Sequence, residues 1–175
     1  MVLLFEPGTS FVLHFYACLR ARVIAVPCYP PTPNKLEQSI NVITKVIESS
    51  SSNIVVLSKK VSQLKSLLGS WPTNLKHGSI QYICFEDSVN DVQVDDRQIV
   101  PFPESSDIAF LQYTSGSTGD PKGVVIGHDN FQCNLMTSSY WMKHKHSQNY
   151  RYHHEDPMIG VSWLPLYHGK NDVFK

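Results

Sequence analysis

The chain has 175 residues, 42% of them hydrophobic and 17% charged, with 15 lysines and arginines against 15 aspartates and glutamates. That length suits one domain, or part of a larger one, and is enough to bury a real core. The zero net charge excludes the electrostatic footprint of a nucleic-acid binder and gives no polybasic signal for a membrane surface.

Val2–Phe5 are all apolar and predict a short strand. "GTSFVLHFYACLRAR" carries apolar residues on nearly every face, which predicts a well-buried helix. "VIAVP" predicts a compact buried strand, and the four prolines of "PCYPPTP" predict an ordered loop rather than a helix or central strand. Asn34, with Glu37 three residues on, forms a capping-box pattern. Leu36, Ile40, Ile43 and Ile47 then recur at helical spacing to about Ser49. "NIVVLS" predicts a buried strand, "KKVSQLKSLLGS" a short amphipathic helix stopped by Gly69 and Pro72, and "IQYICF" another strand. Glu86–Ser106 is acidic and polar, with Pro101 and Pro103, and predicts a surface excursion. "DIAFLQYT" and "GVVIGH" predict two further strands, followed by a helix capped by Asp129 or Asn130. "NYRYHHED" predicts a loop, and "MIGVSWLPLYH" begins as a strand that breaks at Pro165. Strands alternating with helices predict an α/β fold with helices layered on a mostly parallel sheet.

No apolar run approaches the roughly 20 residues that span a bilayer. The start "MVLLFEPG" lacks a basic region, and its apolar run stops at Glu6, so it does not read as a signal peptide. A cytoplasmic protein is expected. Cys18, Cys28, Cys84 and Cys133 include no CxxC pair, as expected of idle thiols in a reducing compartment. His144, His146, His153 and His154 cluster in sequence, but no cysteine or carboxylate stands at a recognised ligand spacing with them. A solvated surface is the expectation there, with no metal ligand assigned. "PCYPPTP" could serve as a polyproline ligand, but its place after a core strand favours an internal loop.

The stretch with most chemistry is "YTSGSTGDPKG", Tyr113–Gly123. Glycines let backbone N–H groups approach an anion closely, hydroxyls add donors, and Lys122 adds a mobile positive charge. It is no Walker A loop, because Gly123 follows Lys122 and the downstream residues favour a strand over a helix. A bare hairpin turn is the alternative, but such a turn takes only about two to five residues and no lysine. A phosphate cradle in a strand–loop–strand setting is the better account.

These eleven residues resemble the signature loop of the adenylate-forming enzymes, the superfamily of acyl- and aryl-CoA synthetases, luciferase and peptide-synthetase adenylation domains. "LLFEPGTSFVLHFYACLRARVIAVPCYPPTP", "FLQYTSGSTG" and "SWLPLYH" are similar to the fatty-acyl-AMP ligase branch. The resemblance runs from Val2 to about His168 and implies that a carboxylate attacks the α-phosphate of ATP, giving acyl-AMP and pyrophosphate. A thiol of an acyl carrier protein or of coenzyme A then takes the acyl group. By the match, Thr114, Ser115, Gly116, Ser117, Thr118 and Gly119 would wrap the β- and γ-phosphates, and Lys122 would fix the loop or the leaving pyrophosphate. His168 would lie near the reacting carboxylate and Tyr167 would line the acyl pocket. Mg2+ is implied with ATP, its family ligand coming from a motif further along the family's chain.

Gly169 stands where the family carries an aspartate after its "LYH". The family's later motifs and its small C-terminal domain have no counterpart in residues 1–175, so the expectation is a partial copy of the large N-terminal domain. Such a piece should lack adenylation activity alone and leave apolar surface and sheet edges uncovered. The alternative is a catalytically inactive remnant that binds a nucleotide, a lipid or a protein.

Overall fold

A computed structural model describes residues 1–68, 71–75, 78–85, 100–115 and 120–149. In chain order the elements are β1 (Val2–Leu4), α1 (Thr9–Arg20), β2 (Val26–Cys28), a 3-10 turn (Pro33–Lys35), α2 (Leu36–Ser49), β3 (Ile54–Leu57), α3 (Lys59–Leu68), β4 (Asn74–Leu75), β5 (Gly78–Ser79), β6 (Gln81–Cys84), β7 (Ile108–Ser115), β8 (Pro121–Gly127) and α4 (His128–Asn149).

Four strands form a wholly parallel sheet in the order β2-β1-β3-β6. Its strands are short apolar runs, as a sheet covered on both faces requires. Alternation along β1 divides the core into two layers. Val2 and Leu4 join Val55, Leu57, Val26 and Cys28 under Ile43, Val46 and Ile47 of α2, Val61 of α3, and Trp71. Leu3 and Phe5 face the other way, with Val56 and Ala25, against Phe11 and Cys18 of α1. Each fully buried aliphatic or aromatic side chain contributes about 1.5–3 kcal/mol. The α/β fold with helices layered on a mostly parallel sheet is thus the observed one.

The hairpin of β7 and β8 joins this sheet through a single parallel bridge between Ala25 and Phe110. The Ala25 N–H donates to Ala109 O at 3.3 Å, and the Leu111 N–H donates to Ala25 O at 2.8 Å. The next N–H on that side would belong to residue 27, which is a proline, so the pairing stops there. Pro27 still lies in β2, as "VIAVP" predicts, and Cys28 joins it there and not in the expected loop, since the Val26 N–H that β1 needs is intact and donates to Met1 O at 2.9 Å.

Two further expectations are corrected. The helix α1 is buried on one side only, with Leu13 and Tyr16 61% and 51% exposed. The Asn34 capping box does not form, because Pro33–Lys35 make a 3-10 turn and the α-helix starts at Leu36 without a side-chain cap. Ser39 serves this end instead, donating to Lys35 O at 2.8 Å and lying 3.3 Å from the Thr32 hydroxyl.

Both α1 and α2 close in the same way. Val23 N–H reaches Cys18 O at 2.9 Å and Ser52 N–H reaches Ile47 O at 3.1 Å. The intervening Arg22 and Ser51 take φ of 57° and 52°. These are Schellman closures with a non-glycine residue at the left-handed position. Arg22 places its guanidinium 2.9 Å from Asp107 there, which ties the end of α1 to the start of β7. Arg20 adds a hydrogen bond to Val100 O at 2.8 Å and lies over the Phe102 ring at 4.1 Å, which holds the described end of the expected surface excursion against α1.

Candidate functional site

The signature stretch enters the structure as the end of β7 and the start of β8. The two strands are antiparallel, with Thr114 opposite Lys122, Ser115 opposite Pro121 and Tyr113 opposite Gly123. The two strands expected from the sequence flank the stretch, and Lys122 lies within a strand rather than at the start of a helix. β7 runs parallel to β2 at their bridge, so the loop leaves the carboxyl end of a strand that runs with the main sheet. Open α/β sheets place ligands at that end.

The register puts one hydroxyl and one ammonium across from each other at the loop mouth. Thr114 and Lys122 are both exposed. Among the described residues no carboxylate lies within ion-pair distance of Lys122, which leaves its charge directed at solvent or at an incoming anion. Gly116, Ser117, Thr118 and Gly119 lie outside the described residues, as do Tyr167 and His168, and only the backbone of Ser115 is described.

The helix α2 supplies contacts that the sequence did not disclose. Lys45 Nζ lies 2.6 Å from Asp120 Oδ1. One turn further on, the Tyr113 hydroxyl donates to Ser49 Oγ at 3.0 Å. The Lys45 hydrogen bond and charge together hold the Asp120 carboxyl below its ordinary value of 3.8. Lys45 and Ser49 stand four apart, beside the apolar stripe of Ile43, Val46 and Ile47. That spacing was readable, but nothing local said which element the polar side would meet.

Glycine at 123 has a steric reason. A Cβ built there would stand 2.9 Å from Cζ of Tyr113, inside any real contact. The missing side chain lets the tyrosine ring lie across β8 and reach Ser49.

The other candidates divide plainly. Burial pushes the Cys28 thiol up to about 12 and the Cys18 thiol up to about 11, so neither is a nucleophile at neutral pH. Among the described residues the cysteines are free of disulfides. Among them, too, no three His, Cys, Asp or Glu side chains converge to hold a metal. His144 and His146 fall on α4, and His153 and His154 lie outside the described residues. No helix among the described residues is long and apolar enough to cross a membrane.

Beyond the fold and the hairpin, residues 1–170 of the chain match the AMP-binding enzyme family, and the chain belongs to that family. The resemblance carried by Tyr113–Gly123 is borne out. The chain is 27% identical to the medium-chain-fatty-acid–acyl-carrier-protein ligase JamA of Moorena producens, over 95% of this chain and 26% of that protein. It is 28% identical to the 4-hydroxyphenylalkanoate adenylyltransferase of Mycobacterium marinum, over 92% of this chain and 24% of that one. Among solved structures it is similar to a fatty acyl-adenylate ligase from L. pneumophila in complex with acyl adenylate and pyrophosphate. There the identity is 36% and the TM-score 0.55, over 77% of this chain and 22% of that one. A second likeness, to fatty acyl-adenylate ligases from E. coli and L. pneumophila, has a TM-score of 0.62 at 24% identity, over 95% of this chain and 28% of that one, and speaks to the fold. The chain spans about a quarter of the length of the curated relatives it matches.

Proposed function

We propose that the protein is part of a fatty-acyl-AMP ligase, with residues 1–175 forming part of its large domain. In the proposed reaction a carboxylate oxygen of a fatty acid attacks the α-phosphorus of ATP. The P–O bond to pyrophosphate breaks and acyl-AMP forms. A thiol, of an acyl carrier protein or of coenzyme A, then attacks the acyl carbon and releases AMP. Two anions must meet in the first step, so N–H, hydroxyl and cationic donors around the phosphates are the physical requirement.

The observation that carries this reading is the register of the hairpin, with Thr114 facing Lys122 at the mouth of a glycine- and hydroxyl-rich loop. Thr114, Ser115, Gly116, Ser117, Thr118 and Gly119 are assigned to the β- and γ-phosphates. Lys122 is assigned to the loop or the leaving pyrophosphate, His168 to the vicinity of the carboxylate and Tyr167 to the acyl pocket. The similarity to JamA, named as a ligase of medium-chain fatty acids to acyl carrier protein, supports a fatty acid as the substrate and a carrier-protein thiol as one of the two acceptors. The donors fit a polyphosphate. Mg2+ would come with the phosphates, which supply much of its coordination, and its family ligand belongs to a motif further along the family's chain, so no residue of 1–175 is assigned to it. A cytoplasmic location is part of the proposal.

Titration calorimetry tests the phosphate half directly. Residues 1–175 are expected to bind ATP, and Lys122→Met to weaken binding about tenfold, the worth of one charge-assisted contact. Binding that ignores this substitution would sink the assignment. Fatty-acid-dependent ATP–pyrophosphate exchange by residues 1–175 alone is expected to be absent, since the relatives devote a chain to the task of which about a quarter is matched here. Clear turnover by this span would overturn that division of labour.

A further inference from the structure

The helix α2 reaches both sides of the hairpin loop through side chains one turn apart. Lys45 meets Asp120, the residue just after the loop, at 2.6 Å, and Ser49 accepts from Tyr113, two residues before Ser115, at 3.0 Å. Asp120 is the one acid of the stretch Tyr113–Gly123, and it stands two residues from Lys122. Left bare, its carboxylate would offset the lysine charge and repel an anion at the same mouth.

We infer that Lys45 is a positioning residue for the polyphosphate loop, anchoring its downstream end while neutralising Asp120 so that Lys122 sets the local field. The inference rests on the phosphate reading above and goes beyond it, because Lys45 lies far from the signature stretch in sequence and touches none of the proposed reacting atoms. The geometry supports two separate effects. The first is mechanical: Lys45 and Ser49 hold Asp120 and Tyr113 to the face of one helix, whose own inner side is locked in the core by Ile43, Val46 and Ile47. The second is electrostatic: the lowered Asp120 carboxyl is ionised throughout the neutral range, so its charge is permanent and needs a permanent partner. The pair is exposed on both sides, at 43% and 70%, so its worth to global stability is small. Its effect should appear in anion affinity and loop order instead.

Four proteins separate these effects: the unaltered chain, Lys45→Met, Asp120→Asn, and the double variant. Affinity for ATP is measured at low ionic strength, and amide hydrogen exchange of residues 113–123 is measured without nucleotide. Lys45→Met is expected to weaken ATP binding about two- to fivefold, the range of an exposed charge pair, and to speed exchange. Asp120→Asn should speed exchange yet leave affinity equal or higher, because the repelling charge is gone. The double variant should recover affinity relative to Lys45→Met while its exchange stays fast. A purely structural lysine would give no such recovery. ATP binding that Lys45→Met leaves unchanged overturns the inference alone. An unaltered protein that fails to bind ATP overturns the phosphate reading itself.

Discussion

Tyr113 and Gly123 show how a single hydrogen atom in place of a side chain shapes the site. The tyrosine ring is half-buried, packed against the core layer that includes Ile43 and Val46, and pinned by its hydroxyl to Ser49. A methyl group at 123 would stand 2.9 Å from ring carbon Cζ, so the ring must shift, which strains its bond to Ser49. Gly123→Ala is therefore expected to destabilise the protein by about 1–2 kcal/mol, the usual cost of modest overpacking. Urea denaturation monitored by circular dichroism measures this, and an unchanged midpoint would refute the steric account. Gly123 was visible in the sequence as part of the signature stretch. Its partner across the hairpin was not, because the register depends on how many residues the turn consumes.

Among the elements, the helix starts separate what a local pattern can and cannot decide. Ser58 follows β3 and caps α3: its side-chain oxygen accepts from the Val61 N–H at 3.3 Å, and its carbonyl accepts from Ser62 at 2.9 Å. It is also buried, at 6% exposure. Asn34 has the better motif, with Glu37 behind it, yet makes no cap because Pro33 favours a tight 3-10 turn before α2. Ser58→Ala is expected to lower stability by about 1 kcal/mol and Asn34→Ala to leave it within about 0.5 kcal/mol. Thermal melts of the two variants decide this, and the reverse ranking would mean that α2 is capped as its sequence suggests. The strands β1, β3 and β6 and the helices α1 to α3 were legible because each is an apolar run or stripe bounded by glycine, proline or serine. The ladder of β4 and β5 was not, since two residues a side leave no periodicity to read.

At the scale of the molecule, exposed apolar side chains among the described residues gather on the hairpin and the outer helices. Val124 and Val125 are neighbours on β8, so they face opposite sides of the hairpin, and both are exposed, at 47% and 58%. Leu13 and Tyr16 of α1 and Leu135, Met136 and Tyr140 of α4 are exposed as well. Such surface accords with the proposal that residues 1–175 are part of a larger domain, and exposed strand edges of this kind can pair with other chains. Residues 1–175 are expected to self-associate with rising concentration in sedimentation velocity, and Val125→Lys to shift the distribution toward monomer. A single monomeric species at all concentrations would remove the case for β8 as an adhesive edge.

By itself the sequence determined the family and most of the longer local elements. Eleven consecutive residues, Tyr113–Gly123, identify the hairpin because they match the family's signature loop, and short apolar runs identify the strands because both faces of a parallel sheet are buried. Tertiary structure alone decided that α2 stands over the hairpin, that Lys45 meets Asp120 across 75 positions of sequence, and that Pro27 ends the pairing of β2 with β7. Those contacts arise where separately folded elements pack together. Their partners are chosen by shape and by unpaired N–H groups and charges, which no local periodicity records.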